Sequence, residues 1–350
     1  HGTHVSGTIG AVCNNNTGVC GVNHQVSIMA LRFLGEDIGG TSTQAVNAIT
    51  YAVNNGADII SASWGGSSEV VSIKNAIIYA RDKGVLFVAA AGNDGYNNDN
   101  PGSYFSGYPS YPATSKVENI VSVASTDHKD QLSSFSNYGL KSVHVAAPGE
   151  SIHNTWLANG YKSVSGTSMA TPVVSGIAAL MKANNPDLTY LQIKESLMST
   201  VDKVSGLSTK IISGGRVNAL KAIQANPGNP APVIDALPAV ASNGDLTVSG
   251  RVIDDNPGTT IAAVLANRQG TSLNQSQTLG ANQSFSFTFS TLADEVYRVT
   301  LTTTDLGGRT GTLTLENIVV GNPPNAAPQV TITNTQSSAP NCLTLAGSSQ

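Results

Sequence analysis

A serine that opens a helix is the first group in this sequence equipped to attack a substrate. Ser168 stands in SVSGTSMATPVVSGIAALM, residues 163–181. Gly166 frees the backbone for a sharp turn, and Pro172 suits the first turn of the helix that follows. The unpaired N–H groups of a helix start, with the macrodipole, favour negative charge developing beside Oγ, as a nucleophile that forms an oxyanion requires. A plain cap on a buried helix of small residues would have the same composition. The chain also opens on HGTHVSGTIG. His1 and His4 share a helix face, but their spacing is not that of an HExxH zinc site, no Glu accompanies them, and no third ligand stands at a fitting distance. His1 suits a general base, because imidazole titrates near the working pH. Asn93 follows the apolar run VLFVAAAG, so its amide falls at the C-terminal edge of a buried strand, where open α/β sheets bind ligands. An ordinary turn residue fits there equally well.

The elements that must position these groups alternate in period. SIMALRF, ADIISAS, GVLFVAAAG, NIVSVAS and VHVAAPG read as strands covered on both faces. STQAVNAITYAVNNG and SEVVSIKNAIIYARDKG carry apolar residues every three to four positions and end on a capping Gly. The alternation predicts a parallel sheet with helices on both sides over residues 1–225, a three-layer α/β domain. NPGNPAPV at 226–233 breaks the pattern and marks 226–232 as a linker. Beyond it the period is two. SFSFTFS aligns Phe285, Phe287 and Phe289, and YRVTLTTTD aligns Tyr297, Val299 and Leu301, so an antiparallel β-sandwich is expected at 233–320. NPPNAAPQV at 322 repeats the first linker, and LTLAG at 343 repeats LTVSG at 246. Residues 321–350 are therefore expected to begin a second sandwich copy.

Only 11% of the 350 residues are charged, the net charge is −4, and no basic run could follow a phosphate backbone, so nucleic acid is excluded as a partner. The longest apolar stretch is too short for a membrane span. Few Lys and Glu among many Gly, Ser, Thr and Asn is a composition common in exported bacterial proteins. Cys13 and Cys20 bracket the turn-rich loop CNNNTGVC. They read either as a disulfide, worth about 2.5 kcal/mol by loop-closure entropy, or as two separate small apolar residues. Cys342 is left without a partner.

Taken together and in this order, HGTHVSGT, SWGG, AAAGND and SGTSMATP resemble the subtilisin-like serine proteases, the subtilase family, over residues 1 to about 225. The resemblance implies His1 as general base, Ser168 as nucleophile, and the Asn93 amide with the Ser168 N–H as oxyanion donors. It implies that Ser63, Trp64 and Gly65 flank a peptide added as a strand. Gly166 would adjoin the same cleft, and Gly107 would form the floor of a pocket for a large apolar side chain. It also implies a structural Ca²⁺ held by Asn15 and the carbonyls of Cys13, Thr17 and Val19, with a plain Asn-rich turn as the alternative. The family takes its catalytic Asp from a DTG-type turn upstream of the His, and its calcium carboxylate likewise from upstream of the His. No Asp followed by Ser-Gly or Thr-Gly occurs in this chain. The expectation is thus a secreted or cell-surface bacterial serine endopeptidase, monomeric, acting on polypeptides, whose acid lies upstream of these residues and which is inactive without it. The sandwich repeats would bind a surface or polymer. A non-catalytic subtilase-like adhesin is the competing reading. An α/β-hydrolase is discarded, because GTSMA is not GxSxG and the His precedes the Ser.

Overall fold

The computed structural model describes residues 1–321 apart from 36–38, 101, 103–106, 226–231, 255–257, 271, 281–282 and 306–307. Most of the first proline linker, the start of the expected second sandwich and Cys342 lie outside the described residues. The chain divides into two compact units, His1–Gly228 and Asn229–Gln350.

The first unit runs α1 (Gly2–Gly10), α2 (Ser42–Asn54), β1 (Ile59–Ala62), α3 (Val71–Asp82), β2 (Leu86–Ala90), β3 (Ile120–Thr126), β4 (Val145–Pro148), β5 (Ile152–Thr155), β6 (Tyr161–Val164), α4 (Thr167–Asn184), α5 (Tyr190–Ser199), β7 (Asp202–Lys203), β8 (Gly215–Arg216) and α6 (Ala219–Gln224). Its sheet has the order β1-β2-β3-β4-β8-β7, parallel except for β7. Every residue of β2 and β3 is buried, as expected of strands with helices on both faces. On one face Ile49 and Val53 of α2 and Ile77 of α3 close over Phe87 and Ile120. On the other, α4 packs along β1, β2, β3 and β4. α1 packs on α4, and at Gly176 a side chain would stand 2.7 Å from Val22 Cβ, so a glycine admits the segment that follows α1.

Two local expectations are corrected. Ser27–Phe33, expected as a strand, joins no ladder among the described residues, and Ile28 and Met29 are 42% and 41% exposed. β-branched and apolar composition does not make a strand where no neighbour supplies the paired backbone groups. Pro172 lies not in the first turn of its helix but inside it, because α4 already begins at Thr167. Lacking an N–H, it leaves the Ser168 carbonyl without its helical partner.

The second unit holds β9 (Val233–Ala236), β10 (Val240–Ser242), β11 (Asp245–Ile253), β12 (Thr260–Asn267), β13 (Ser272–Thr278), β14 (Ser284–Phe289), β15 (Glu295–Thr304) and β16 (Thr310–Val320). They form two antiparallel sheets, β10-β11-β14 with β9 added to β11, and β13-β12-β15-β16. Phe285, Phe287 and Phe289 from one meet Val299 and Leu301 from the other in a single core, a β-sandwich.

Candidate active site

The geometry around Ser168 starts from its neighbour. Thr167 donates both its N–H (2.8 Å) and its hydroxyl (2.9 Å) to Asn93 Oδ1, and the Gly92 N–H donates to Thr167 Oγ1 at 3.2 Å. A backbone N–H can only donate, so the Asn93 atom facing it must be the oxygen, which fixes the amide flip. Asn93 Nδ2 is then turned outward on an exposed residue and has no protein acceptor among the described residues. The Ser168 N–H, in the first turn of α4, likewise has none. A side chain at Gly166, the N-cap of α4, would lie 3.6 Å from the Ser168 nitrogen and 3.7 Å from Asn93 Nδ2, so a glycine leaves the space between the two donors open.

The loop carrying Asn93 is held from below by two buried amides. Asn137 Oδ1 accepts the N–H groups of Asp94 and Tyr96, both at 2.9 Å, and its Nδ2 donates to Asn98 Oδ1 at 3.1 Å. Asn98 in turn donates to the Ala91 carbonyl at 2.8 Å. Gly92 has φ +110°, and any side chain there would fall on the Asn137 amide. The left-handed residue of this turn is thus Gly92, and Asn93 itself has ordinary φ.

Ser168 Oγ donates to the Ser63 carbonyl at 3.2 Å, and Ser63 Oγ donates to the Ser168 carbonyl at 2.8 Å. Beyond Ser63, the half-buried Trp64 packs its ring edge-on to Phe33 at 5.2 Å and Phe87 at 6.5 Å. Gly66 exchanges two 2.8 Å hydrogen bonds with Tyr111, which occupies that side of the segment. A side chain at Gly65 would stand 2.8 Å from Ser110 Oγ and 3.0 Å from the Tyr111 carbonyl, so a glycine lets the two segments approach. Gly107 has φ +90° and packs on Tyr96, whose ring carbon would be 3.0 Å from an added Cβ.

His1 is exposed at the N-cap of α1, the helix that packs on α4. His4 is fully buried, and its Nε2 faces the carbonyls of Ile152 and Lys162 at 2.9 and 3.1 Å. It ties α1 to the β5–β6 hairpin, so the two histidines do not act as a pair. No group of three or more His, Cys, Asp or Glu able to hold a metal occurs among the described residues.

Cys13 and Cys20 are joined in a disulfide with Cα atoms 4.8 Å apart. Within the loop it closes, Asn15 Oδ1 accepts the Thr17 N–H at 3.0 Å and the Asn15 carbonyl accepts the Thr17 hydroxyl at 3.3 Å. The loop offers neutral oxygens of the kind calcium takes, from Asn14, Asn15, Asn16, Thr17 and its carbonyls, but no carboxylate, and Asn15 Oδ1 is engaged by the Thr17 N–H. By itself it does not fit a calcium cage.

Two half-buried bases lie away from this site. His144 Nδ1 accepts the Ser122 N–H at 3.0 Å; burial first, and the Lys194 charge second, hold the imidazole well below its usual range. Lys194 donates to the Glu118 carbonyl at 2.9 Å, and burial brings its ammonium down to about 8 against the opposing pull of the Glu118 carboxylate. Neither stands beside a nucleophile.

Sequence reasoning passed over Thr167, Asn98 and Asn137. Thr167 was visible inside GTS as the residue next to the nucleophile, whereas an Asn 44 positions beyond Asn93 carries no local signal.

A compact turn that sets two free N–H donors beside a serine hydroxyl, on a parallel sheet covered by helices, defines a class, and the chain belongs to it: residues 1–223 match the Subtilase family, peptidase S8. Among its relatives, thermitase from Thermoactinomyces vulgaris is 44% identical over 224 residues, covering 64% of this chain and 75% of that protein. A thermophilic serine proteinase from Bacillus sp. (strain AK1) is 39% identical over 224 residues, and the match spans 64% of this chain and 52% of that protein. Among solved structures, a protease from Pseudoalteromonas arctica PAMC 21717 superposes with a TM-score of 0.56 at 32% identity, over 63% of this chain and 69% of that one.

Proposed function

We propose that the chain acts as a secreted serine endopeptidase. Ser168 Oγ attacks the peptide carbonyl while His1 takes its proton, the oxyanion settles between the Ser168 N–H and Asn93 Nδ2, and His1 returns the proton to the leaving amine. Water, activated by the same imidazole, then releases the acyl group from Ser168. No Asp of this sequence stands in a DTG-type turn, and a quarter of thermitase has no match here, so the acid that would hold the His1 tautomer is proposed to come from outside residues 1–350. Substrate main chain is proposed to run along Ser63–Gly65, with Gly107 bordering the pocket for a large apolar residue. No helix among the described residues is long and apolar enough to cross a membrane.

The observation that carries this reading is the pair of unpartnered donors, Asn93 Nδ2 and the Ser168 N–H, fixed beside Ser168. The first-turn N–H of a helix has no intrahelical acceptor, so together with the outward amide it leaves two donors open to a ligand oxygen. The test is hydrolysis of a casein or peptide-anilide substrate by the full-length protein. Phenylmethylsulfonyl fluoride should abolish it, and so should Ser168→Ala. A Ser168→Ala protein with undiminished hydrolysis removes the assignment.

A further inference from the structure

α4 begins with a defect that its own sequence creates. Pro172 has no N–H, so the carbonyl four residues earlier, that of Ser168, cannot make the helical bond that would hold the first turn at the nucleophile. The adjacent Thr167 carbonyl is not short of donors, since it also receives the Thr171 hydroxyl at 2.8 Å. The Ser168 carbonyl is met from outside the helix by Ser63 Oγ at 2.8 Å, and the Ser168 hydroxyl rests on the Ser63 carbonyl at 3.2 Å. Ser63 is 8% exposed, so its hydroxyl is not exchanging this partner for bulk water. About two turns further along the helix a second pair of serines meets, this time hydroxyl to hydroxyl. Ser175, two helical turns beyond Ser168 on the same face, donates to Ser61 Oγ at 2.9 Å, and Ser61 of β1 lies two residues before Ser63, which follows the end of that strand. A strand period of two thus meets a helix period of seven through paired serines.

We propose that Ser63 is a positioning residue for the nucleophile. Its hydroxyl stands in for the N–H that Pro172 lacks, holding the backbone of Ser168, and with it the direction of both the Ser168 N–H and Oγ. Its carbonyl meanwhile fixes the hydroxyl rotamer of the resting site. The proposal rests on Ser168 being the nucleophile. It goes beyond a role of Ser63 as peptide main-chain contact, because it assigns the side chain and does not depend on a peptide being bound.

That independence provides the test. In the full-length protein, a small fluorophosphonate probe has no peptide main chain to pair with Ser63. Ser63→Ala is expected to slow its reaction at Ser168 by about tenfold, and to lower kcat for a peptide anilide by the same factor with KM unchanged. Adding Pro172→Ala to Ser63→Ala restores a backbone N–H facing the Ser168 carbonyl and is expected to recover most of the lost labelling rate. Should Ser63→Ala fail to fold, a double variant that folds and labels supports the proposal, and one that also fails to fold overturns it. A Ser63→Ala protein that labels at the wild-type rate while KM for peptides rises also overturns it, leaving Ser63 a substrate contact. Wild-type protein that does not label at Ser168 at all is a different failure, that of the nucleophile assignment.

Discussion

Thr167→Val is the substitution that reads the oxyanion geometry most finely. Valine keeps the shape of threonine but removes the hydroxyl that donates to Asn93 Oδ1 at 2.9 Å and accepts the Gly92 N–H at 3.2 Å. The Thr167 N–H still holds Asn93 Oδ1 at 2.8 Å, so the amide is loosened and not released. Each neutral hydrogen bond is worth about 1 kcal/mol net, and two lost bonds give about 1–2 kcal/mol. If that loosening is felt only where charge develops, kcat falls by about 5- to 30-fold while KM holds. Asn93→Ala should cost more, about 10²–10³ in kcat, a size carried over from subtilisin and not worked out from this chain. Because Thr167 acts through Asn93, the double variant should be no slower than Asn93→Ala alone. The assay is steady-state hydrolysis of a peptide anilide by the four proteins of the cycle, with Thr167→Ser as the control that retains the hydroxyl. Additive losses in the double variant, or a rise in KM with kcat unchanged, would refute the claim that Thr167 orients the amide.

Lys194 is half-buried, and desolvation holds its ammonium at about 8 against a usual 10.5, so between those values the unfolded chain binds more protons than the folded one and stability rises with pH. Urea midpoints measured from pH 8 to 10.5 should climb in the parent and flatten in Lys194→Met; parallel slopes in the two proteins would contradict this. The loop at 13–20 is closed by its disulfide and has no carboxylate of its own. Reduction should therefore lower the melting midpoint of residues 1–350, by about 2.5 kcal/mol in stability, whereas EDTA leaves it unchanged. A fall on chelation that added Ca²⁺ reverses would reveal a cation cage that the loop geometry does not show.

Most of the α/β architecture was legible because buried strands and amphipathic helices carry their periods in the sequence. GVLFVAAAG and NIVSVAS became β2 and β3, and the alternating Phe285, Phe287 and Phe289 became one wall of the sandwich core. SIMALRF had the same composition and formed no strand, since pairing depends on a neighbour that composition cannot reveal. At the site, GTSMA and AGN marked the chemistry through residue type. The supports did not announce themselves. Asn137 reaches Asp94 and Tyr96 from another loop, and Ser63 reaches Ser168 across 105 positions of sequence. Such contacts are made by the fold, and Pro172 gave only half of the second one: a missing N–H, without the hydroxyl that replaces it.

The central proposal is that Ser168 is the nucleophile and His1 its base, and covalent labelling tests it most directly. Full-length protein treated with a fluorophosphonate, digested and examined by mass spectrometry should carry one adduct, on the peptide containing Ser168, and His1→Ala should suppress it. An adduct on another serine, or labelling at Ser168 that survives the loss of His1 undiminished, would contradict the account.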